Sequence, residues 1–328
     1  MTEPLKNRKI QWGIIGLGKI AHKFSTDLLT VDDAELYAVA SRSQEKATFF
    51  ADKYNAVKAY GSYKELVNDT HIDAIYIATP HSFHKEHTIL CLNHKKAVLC
   101  EKPIALNFDE FDTMATLAKT NNVLFMEALW TNFLPHYQYV INELKNKTFG
   151  NIIKLEADFG FSLKIDEHSR AYKKSLGGGS LLDIGIYPIF AALSTLGIPN
   201  TIDANATFFE NGADSSCTMT FNYNNNVTAY LKSTFLEDTP TEAIFYCEKG
   251  LIKINSRFHE PTSVYLLSEG KEKTMTFKTS TYGYNYEILH FNQLLRDGKT
   301  ESDIMPFEFS KKLIQTLDSV RKIIGLNY

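Results

Sequence analysis

Apolar residues recur along this chain with two different patterns, and the pattern changes near residue 130. In the first part, short apolar runs such as IQWGIIG (10–16) and ELYAVAS (35–41) alternate with amphipathic stretches such as SQEKATFFADKY (43–54). This alternation is typical of parallel βαβ units. It predicts an α/β fold, a doubly wound parallel sheet of the Rossmann type, over residues 1–127.

After residue 130 the helical stretches become rare and longer strand-like segments follow one another. These segments are 151–161, 201–210, 215–223, 227–235, 242–248 and 251–255. The turn sequences ENGADS, NYNNN and EKG between them predict antiparallel hairpins. Two helical segments, 284–297 and 309–324, close the chain. We therefore expect a second, α+β domain over residues 128–328, with an open, mostly antiparallel sheet that binds substrate.

Composition narrows the class of protein. A chain of 328 residues is long for one core, which agrees with two domains, and 44% apolar with 22% charged residues is ordinary for a globular protein. The net charge of −3 with no basic block predicts neither a nucleic-acid nor a membrane partner. Cysteines 91, 100, 217 and 247 form no CxxC and no metal-ligand spacing, and the N-terminus lacks the layout of a signal peptide. These features predict a soluble, cytoplasmic protein with reduced thiols and no metal.

A glycine pattern near the N-terminus indicates a dinucleotide. Gly16, Gly18 and Ala21 fit G-x-G-x-x-G/A, directly after a predicted strand and at the start of a predicted helix that begins with Lys19 and Ile20. The first glycine makes the turn, the second lets the backbone approach a pyrophosphate, and the small third residue lets helix and strand pack closely. The helix N-terminal amides would hold the phosphate charge.

The end of the second strand bears on the cofactor. An NAD site usually has Asp or Glu there, whereas this chain has Ser41 and Arg42. An arginine can pair with the 2′-phosphate of NADP and stack on adenine. We therefore expect NADP, with NAD and a merely solvated surface arginine as the alternatives.

The ends of two later strands carry the next candidates. CEKPIA (100–105) places Glu101 and Lys102 where open α/β sheets hold their ligands, and the Lys102–Pro103 bond is a candidate cis peptide. The lysine charge would lie near the nicotinamide and the reacting oxygen, unless it is a surface lysine. ATPHSFH (78–84) places Thr79, Pro80 and His84 beside the cofactor. A histidine packed within a helix is an equal alternative for His84.

The stretch GGGSLLDIGIY (177–187) carries the acid/base candidates. Asp183 and Tyr187 are four residues apart and would project from one face of a helix, with Ser180 as the predicted N-cap. A tyrosine that exchanges a proton at neutral pH needs a neighbouring cation such as Lys102. The alternative is a helix N-terminal charge at Asp183 and a core aromatic at Tyr187. We expect the three glycines to leave room for substrate and nicotinamide.

Taken together, these motifs resemble the Gfo/Idh/MocA oxidoreductase family. GIIGLGKIA, EKPIA and GGGSLLDIGIY occur in the family's order over essentially the whole chain. MEALWTNFLP (126–135) and the ending YNYEILHFNQLLRDGKTESDIMP are most similar to its dihydrodiol dehydrogenase-like branch. Tyrosine at position 187, where many members have histidine, fits that branch and argues against inositol as the substrate.

The resemblance implies a fold, a catalytic set and a cofactor. The family pairs a Rossmann domain with a C-terminal α/β domain whose open sheet often forms a dimer interface, so a homodimer is expected. Its catalytic set corresponds to Lys102, Asp183 and Tyr187 here, and Arg42 stands at the usual 2′-phosphate position. The expected activity is reversible NADP-dependent oxidation of a secondary alcohol of a sugar, cyclic polyol or trans-dihydrodiol. The alternatives are a catalytically silent NAD(P)-sensing protein and an enzyme that keeps its cofactor bound through a redox cycle.

Four further residues are candidates for substrate contact. Trp130 and Phe133 follow the last Rossmann strand, and their aromatic faces would suit a sugar ring or a hydrophobic diol. Arg170 and Tyr172 belong to 162–180, a stretch with the composition of a loop bordering the site. A solvated loop position is the alternative for each of the last two.

Overall fold

The chain folds into two compact units. A computed structural model describes residues 5, 8–167 and 169–328. The first unit comprises Met1–Trp130 together with Ser280–Ser310, and the second comprises Thr131–Thr279 together with Lys311–Tyr328.

The first unit contains a six-stranded parallel sheet in the order β3-β2-β1-β4-β5-β6. The strands are β1 (Ile10–Ile15), β2 (Ala34–Ala40), β3 (Lys58–Tyr60), β4 (Ala74–Ile77), β5 (Ala97–Glu101) and β6 (Phe125–Ala128). The helices are α1 (Lys19–Leu28), α2 (Gln44–Tyr54), α3 (Tyr63–Asn68), α4 (His84–Asn93) and α5 (Phe108–Asn121). The strand order reverses between β1 and β4, which is where doubly wound sheets bind ligands. The predicted Rossmann architecture is confirmed, although β3 and α3 were not predicted.

Local sequence explains how several of these elements form. β4, β5 and β6 are buried at every position, as expected of parallel strands covered on both faces. α5 begins at a capping motif: the Asn107 side chain accepts the Glu110 N–H at 2.9 Å, and the Glu110 carboxylate accepts the Leu106 N–H at 3.0 Å. The sequence NFDE (107–110) thus forms a capping box with asparagine as the N-cap.

The predicted domain boundary needs a correction, because residues 280–310 belong to the first unit. Their helix, α8 (Tyr284–Arg296), is capped by the buried Asp27 of α1, whose carboxylate accepts the N–H of Tyr282 at 3.0 Å and of Tyr284 at 2.8 Å. Farther along α8, Asn292 accepts the indole N–H of Trp12 at 3.0 Å. Periodicity predicts α8 but says nothing about its partners, which lie more than 250 residues away in the chain.

The second unit is built on an eight-stranded sheet in the order β14-β13-β12-β11-β7-β10-β9-β8. The strands are β7 (Ile152–Gly160), β8 (Thr201–Phe208), β9 (Asp214–Asn222), β10 (Thr228–Thr234), β11 (Ala243–Cys247), β12 (Gly250–Ile254), β13 (Val264–Ser268) and β14 (Lys271–Met275). Only β7 and β10 pair in parallel. The predicted open, mostly antiparallel sheet is confirmed, but β13 and β14 were not predicted.

The remaining helices are α6 (Pro135–Lys145), α7 (Ile186–Leu196) and α9 (Phe307–Ile324), whose residues from Lys311 onward group with the second unit. Within the residues described, one helical segment, Lys174–Leu196, has the length and hydropathy of a membrane span. Its apolar window is 94% buried inside the protein, as in the core helix of a globular domain.

Candidate active site

The glycine turn of the first unit has the geometry that its sequence predicts. Gly16 adopts φ +90°, and a Cβ there would lie 2.7 Å from the Thr79 nitrogen, so only glycine fits. A Cβ on Gly18, in contrast, would meet no atom within 4 Å. Ala21 is fully buried, as close packing of helix and strand requires.

The N-terminus of α1 fits the phosphates of a dinucleotide. Gly18 is the N-cap, no side chain caps the helix, and its first turn carries no acidic residue. The first N–H groups of a helix lack partners within the helix and carry partial positive charge. Lys19, Ile20 and Ala21 make up this turn, with Lys19 and Gly18 exposed.

Ser41 and Arg42 follow the end of β2. Arg42 is exposed and forms no hydrogen bond or ion pair with any residue that the structure describes. Ser41 accepts the Ser43 N–H at 3.3 Å. The guanidinium is therefore available for a phosphate, which fits the 2′-phosphate of NADP.

The candidate cofactor contacts that follow β4, Thr79 and His84, are more buried than the sequence suggests. The Thr79 hydroxyl is 3.0 Å from Nδ1 of His87. His84 is fully buried, with Nδ1 2.8 Å from the Pro103 carbonyl oxygen and Nε2 2.9 Å from the Thr79 carbonyl oxygen. These contacts favour the packing alternative for His84: it ties the ends of β4 and β5 together. Pro80, the residue after Thr79, is half-buried.

The E-K-P segment follows β5 directly. The Lys102–Pro103 peptide is cis, as considered from the sequence. Glu101 is buried and accepts the Tyr76 hydroxyl and, at 3.2 Å, the backbone N–H of Lys102. Lys102 itself is half-buried. The carboxyl of Glu101 is thus hydrogen-bonded within its own unit.

In the second unit, the three glycines serve a purpose different from the one expected. Gly177 and Gly179 adopt φ +77° and +127°. A Cβ on Gly178 would lie 2.7–2.9 Å from the carbonyl oxygens of Arg170, Lys173 and Ala171, and one on Gly179 would collide with the Asp214 carboxylate. The space beside Gly178 and Gly179 is filled by the protein's own loop and by Asp214, so the expectation of room for ligand is wrong there.

Ser180 does not cap the helix that follows. Its hydroxyl donates to Asp214 at 2.7 Å, and the same Asp214 oxygen accepts the Leu181 N–H at 2.7 Å. Asp214 is fully buried, and this burial raises the pKa of its carboxyl. The capping group therefore comes from β9, 33 residues farther along the chain.

Asp183 and Tyr187 lie where the helix changes its winding. Residues Leu181–Gly185 form a π-helical turn that contains Asp183, and Tyr187 lies in the first turn of α7. Such turns are rare and often mark functional sites. Both residues are buried, at 7% and 5% exposure. Asp183 forms an ion pair with Arg170 at 2.9 Å, so Arg170 is more than a solvated loop residue.

A residue that was not predicted contacts Tyr187. The ring of His259 lies 4.8 Å from that of Tyr187 and stacks on Phe159 at 4.2 Å, while Phe159 lies 5.7 Å from Tyr187. His259 is 4% exposed, and its Nε2 is 3.7 Å from Glu260. It stands in an irregular segment between β12 and β13, where no periodic pattern could have singled it out.

The aromatic substrate candidates are mostly packed. Trp130 is 4% exposed and stacks on Tyr284 within the first unit, with ring centroids 4.3 Å apart. Phe133 is buried in the second unit. Tyr172 contacts Phe209 and lines an open cavity of about 720 Å³. Of these three, Tyr172 is the one on a cavity within its own unit.

Comparison with known proteins decides the family. Residues 10–129 match a family model described as an oxidoreductase family with an NAD-binding Rossmann fold, and 137–253 match the GFO/IDH/MocA C-terminal domain. The trans-1,2-dihydrobenzene-1,2-diol dehydrogenase of Xenopus tropicalis is 36% identical over 331 residues, which cover 97% of this chain and 99% of that protein. The chain belongs to the Gfo/Idh/MocA oxidoreductase family. Its first unit is accordingly an NAD(P)-binding Rossmann domain.

Other known proteins are similar to this chain in sequence or in fold. The human protein of the same name is 33% identical, with 97% of this chain and 98% of that protein covered. Among solved structures, a 3-ketoreductase from Actinomadura kijaniata, crystallised with TDP-benzene and NADP, has a TM-score of 0.87 at 24% identity, covering 97% of this chain and 98% of that one. An aldose-aldose oxidoreductase from Caulobacter crescentus, complexed with glycerol, has a TM-score of 0.89 at 20% identity, with the same coverage.

Over residues 5, 8–167 and 169–328, no group of three His, Cys, Asp or Glu side chains is placed to hold a metal ion.

Proposed function

We propose that this oxidoreductase is a reversible NADP-dependent dehydrogenase of a secondary alcohol in a sugar, cyclic polyol or trans-dihydrodiol. The support is family membership, the curated relatives named as dihydrodiol dehydrogenases, and the residues of the two units. NADP is favoured over NAD for two reasons. Arg42, which follows β2, has no protein partner among the described residues, and no acidic residue is next to it in the sequence.

One observation carries the catalytic assignment. The helix N-terminus at Leu181 is already satisfied by Asp214, so Asp183 is not needed as a helix-capping charge. Asp183 instead lies buried in the π-helical turn, paired with Arg170, close in sequence to the buried phenol of Tyr187. A buried, paired carboxylate and a phenol on one helix are costly for stability alone and suit acid/base work.

The bound dinucleotide supplies the group that accepts or donates the hydride. In the oxidative direction, Tyr187 acts in its phenolate form: it takes the proton of the substrate hydroxyl, and the resulting phenol later releases that proton to solvent. The ammonium of Lys102 stabilises the negative charge on the oxygen atoms during this transfer. Asp183, held by Arg170, orients the substrate hydroxyl, and the packing of His259 and Phe159 against the Tyr187 ring limits its motion.

The decisive experiment removes the acid/base and the cation separately. Tyr187→Phe and Lys102→Met are each expected to lower kcat by about 10²–10⁴-fold, the usual contribution of a general acid/base. Their Kd for NADPH, measured by fluorescence titration, should stay close to wild type. Tyr223→Phe is the matched control, because the Tyr223 hydroxyl donates to the Gly197 carbonyl, and Tyr223 is not one of the proposed site residues. Wild-type turnover in both test variants would overturn the assignment.

The silent-sensor alternative makes a different prediction. A pure sensor would bind NADPH tightly and consume none with any member of a panel of keto-sugars and diketones. The intact set Lys102, Asp183 and Tyr187 argues for consumption, because a sensor needs no proton-transfer residues. Steady NADPH oxidation with one such ketone, lost in Tyr187→Phe, would exclude the sensor.

We further propose a homodimer formed through the open face of the second sheet. Tyr230 is 49% exposed on this face, and Lys154 lies 3.9 Å from the ring centroid of Tyr246 and bonds Glu156 at 2.9 Å. Exposed aromatic side chains such as Tyr230 are enriched at protein–protein interfaces, and charged side chains such as Lys154 and Glu156 suit the polar rim. Tyr230→Asp should convert a dimer to a monomer in light scattering, whereas Phe49→Asp, an exposed position of α2, should not. A monomeric wild-type protein would refute the proposal.

We also propose that the protein acts in the cytoplasm. The four cysteines are free and buried, which suits a reducing compartment. Immunodetection after cell fractionation tests this, and recovery outside the cytoplasmic fraction would refute it.

A further inference from the structure

One peptide group of the E-K-P segment is held at both ends. The carbonyl oxygen of Pro103 is 2.8 Å from Nδ1 of His84, and the N–H of the same peptide, on Ile104, donates to the Glu127 carboxylate at 3.0 Å. His84, Ile104 and Glu127 are all buried. A peptide plane with both polar atoms bonded cannot rotate without breaking a buried hydrogen bond, so the chain leaving Lys102 has a fixed direction.

Glu127 reaches this peptide from the neighbouring strand. It lies on β6, paired with Cys100 of β5 immediately before the E-K-P segment, and it is 2% exposed. A carboxylate at such a position is costly to bury, and a neutral side chain of similar shape would also accept the Ile104 N–H. The use of an acid therefore calls for an explanation beyond the hydrogen bond.

The charged neighbours of Glu127 supply that explanation. Burial raises the pKa of the Glu127 carboxyl to about 7; Glu101 adds to the rise, whereas Ser310, the Ile104 N–H and the Lys102 ammonium oppose it. The Cys100 thiol also faces Glu127, but burial raises the pKa of that thiol well above its ordinary value. Lys102 is thus the cation, among these neighbours, that an ionised Glu127 acts on.

We propose that Glu127 is a positioning residue for Lys102: together with His84 it holds the Pro103–Ile104 peptide, and its negative charge attracts the Lys102 ammonium. This inference rests on the proposed function only in giving Lys102 a catalytic role. Protonation of Glu127 removes the charge and weakens the hydrogen bond to Ile104, because charge-assisted hydrogen bonds are the stronger ones.

A second buried glutamate of the same unit provides a matched control. Glu287 on α8 is fully buried, and neither of its carboxyl oxygens has a hydrogen-bond partner among the described residues. Burial raises the pKa of its carboxyl well above the ordinary value, and Glu101 and Asp27 add to the rise. Replacing Glu287 with glutamine leaves the hydrogen bond between Glu127 and the Ile104 N–H in place.

The first test is the pH profile of kcat for Glu127→Gln, with Glu287→Gln as control. Wild type is expected to lose activity on acidification through about pH 7, as Glu127 takes up its proton. Glu127→Gln should lack this acid limb and show about fivefold lower kcat at pH 8, the difference between a charge-assisted and a neutral hydrogen bond. Its KM for NADP should not change. Glu287→Gln should keep the limb, and an unchanged limb in Glu127→Gln would overturn the inference.

Glu127→Asp distinguishes charge from shape. It keeps the carboxylate and withdraws it from Ile104 by one methylene, so kcat should fall while an acid limb remains. If Glu127→Gln fails to fold, this variant decides alone: loss of the limb in a folded Glu127→Asp would overturn the role of the charge.

The second test needs no turnover. Acetic anhydride modifies only unprotonated amines, and the extent at Lys102 can be read by peptide mass spectrometry. At pH 8, Glu127→Gln should be labelled at Lys102 faster than wild type, because the ammonium loses a neighbouring negative charge that stabilises it. Glu287→Gln should label like wild type. Faster labelling without turnover on any substrate would disprove the proposed function and leave the role of Glu127 standing; unchanged labelling would overturn that role.

Discussion

Two glycine clusters in this protein look alike in sequence and serve different physical ends. At the N-terminus of α1, a Cβ on Gly18 would meet no atom within 4 Å, so the absent side chain leaves space that the protein does not use. In the second unit, a Cβ on Gly178 or Gly179 would meet the carbonyls of the preceding loop or the Asp214 carboxylate. The first cluster is open to a ligand, and the second is closed by the protein itself.

The difference shows what a glycine motif means. Gly16 belongs to the dinucleotide pattern, but the fold itself already requires glycine there. Its φ is positive, and its backbone lies close to the residues that follow β4. Only Gly18 combines an ordinary backbone conformation with open space. Mutations at the two clusters should therefore separate stability from cofactor binding.

The largest expected effect is on stability. Gly179→Ala should lower the free energy of unfolding by about 3 kcal/mol, from the strained φ of +127° and the collision with Asp214. Urea denaturation measures this. Gly197→Ala is the control, since Gly197 shares a positive φ but has no atom within 4 Å of its would-be Cβ. Equal losses of unfolding free energy in the two variants would mean that backbone strain, and not the collision with Asp214, destabilises Gly179→Ala.

Arg42→Ala should weaken NADP binding and leave the fold unchanged. The loss of a charge-assisted hydrogen bond to a phosphate is worth about 2 kcal/mol, or about a 30-fold rise in Kd for NADP. The Kd for NAD should not rise. Isothermal titration with both cofactors makes the comparison, and Lys46→Ala on the nearby, exposed face of α2 is the control. A parallel loss for NAD would show that Arg42 does not read the 2′-phosphate.

Gly18→Ala should act on the cofactor without affecting stability. A methyl group in the space near the pyrophosphate is expected to raise the Kd for NADP about tenfold, or ~1.4 kcal/mol, while Tm stays near wild type. Gly178→Ala should do the opposite, lowering Tm and sparing the Kd. A lowered Tm in Gly18→Ala would remove the contrast between the two clusters.

The smallest effect concerns the helix cap. Ser180→Ala removes one hydrogen bond to Asp214 and should cost about 1 kcal/mol, because Asp214 still accepts the Leu181 N–H. Asp214→Ala should cost more, since it leaves the helix N-terminus without that acceptor. Denaturation curves of the two variants test the order, and a larger loss in Ser180→Ala would restore the serine as the capping residue.

Much of the first unit could be predicted from local sequence. The glycine pattern of Gly16, Gly18 and Ala21 and the cap at Asn107 are each made of residues within a few positions of one another. The second unit was predicted as a sheet, but β13 (VYLLS) and β14 (KEKTM) are short. Neither shows a clear alternation of apolar and polar residues, and β14 is mostly charged, so both were missed. No motif in the sequence singled out His259 or Glu127 as site residues, because the residues that they contact lie elsewhere in the chain.

The sequence by itself therefore determined the fold class, the family and the identity of the candidate catalytic side chains, since periodicity and motif spacing are local properties. Only the tertiary structure decided which groups surround them. Asp214 and not Ser180 caps the helix of Asp183, and Glu127 holds the peptide after Lys102. Buried polar groups must find partners wherever the folded chain brings them, and those partners are rarely neighbours in sequence.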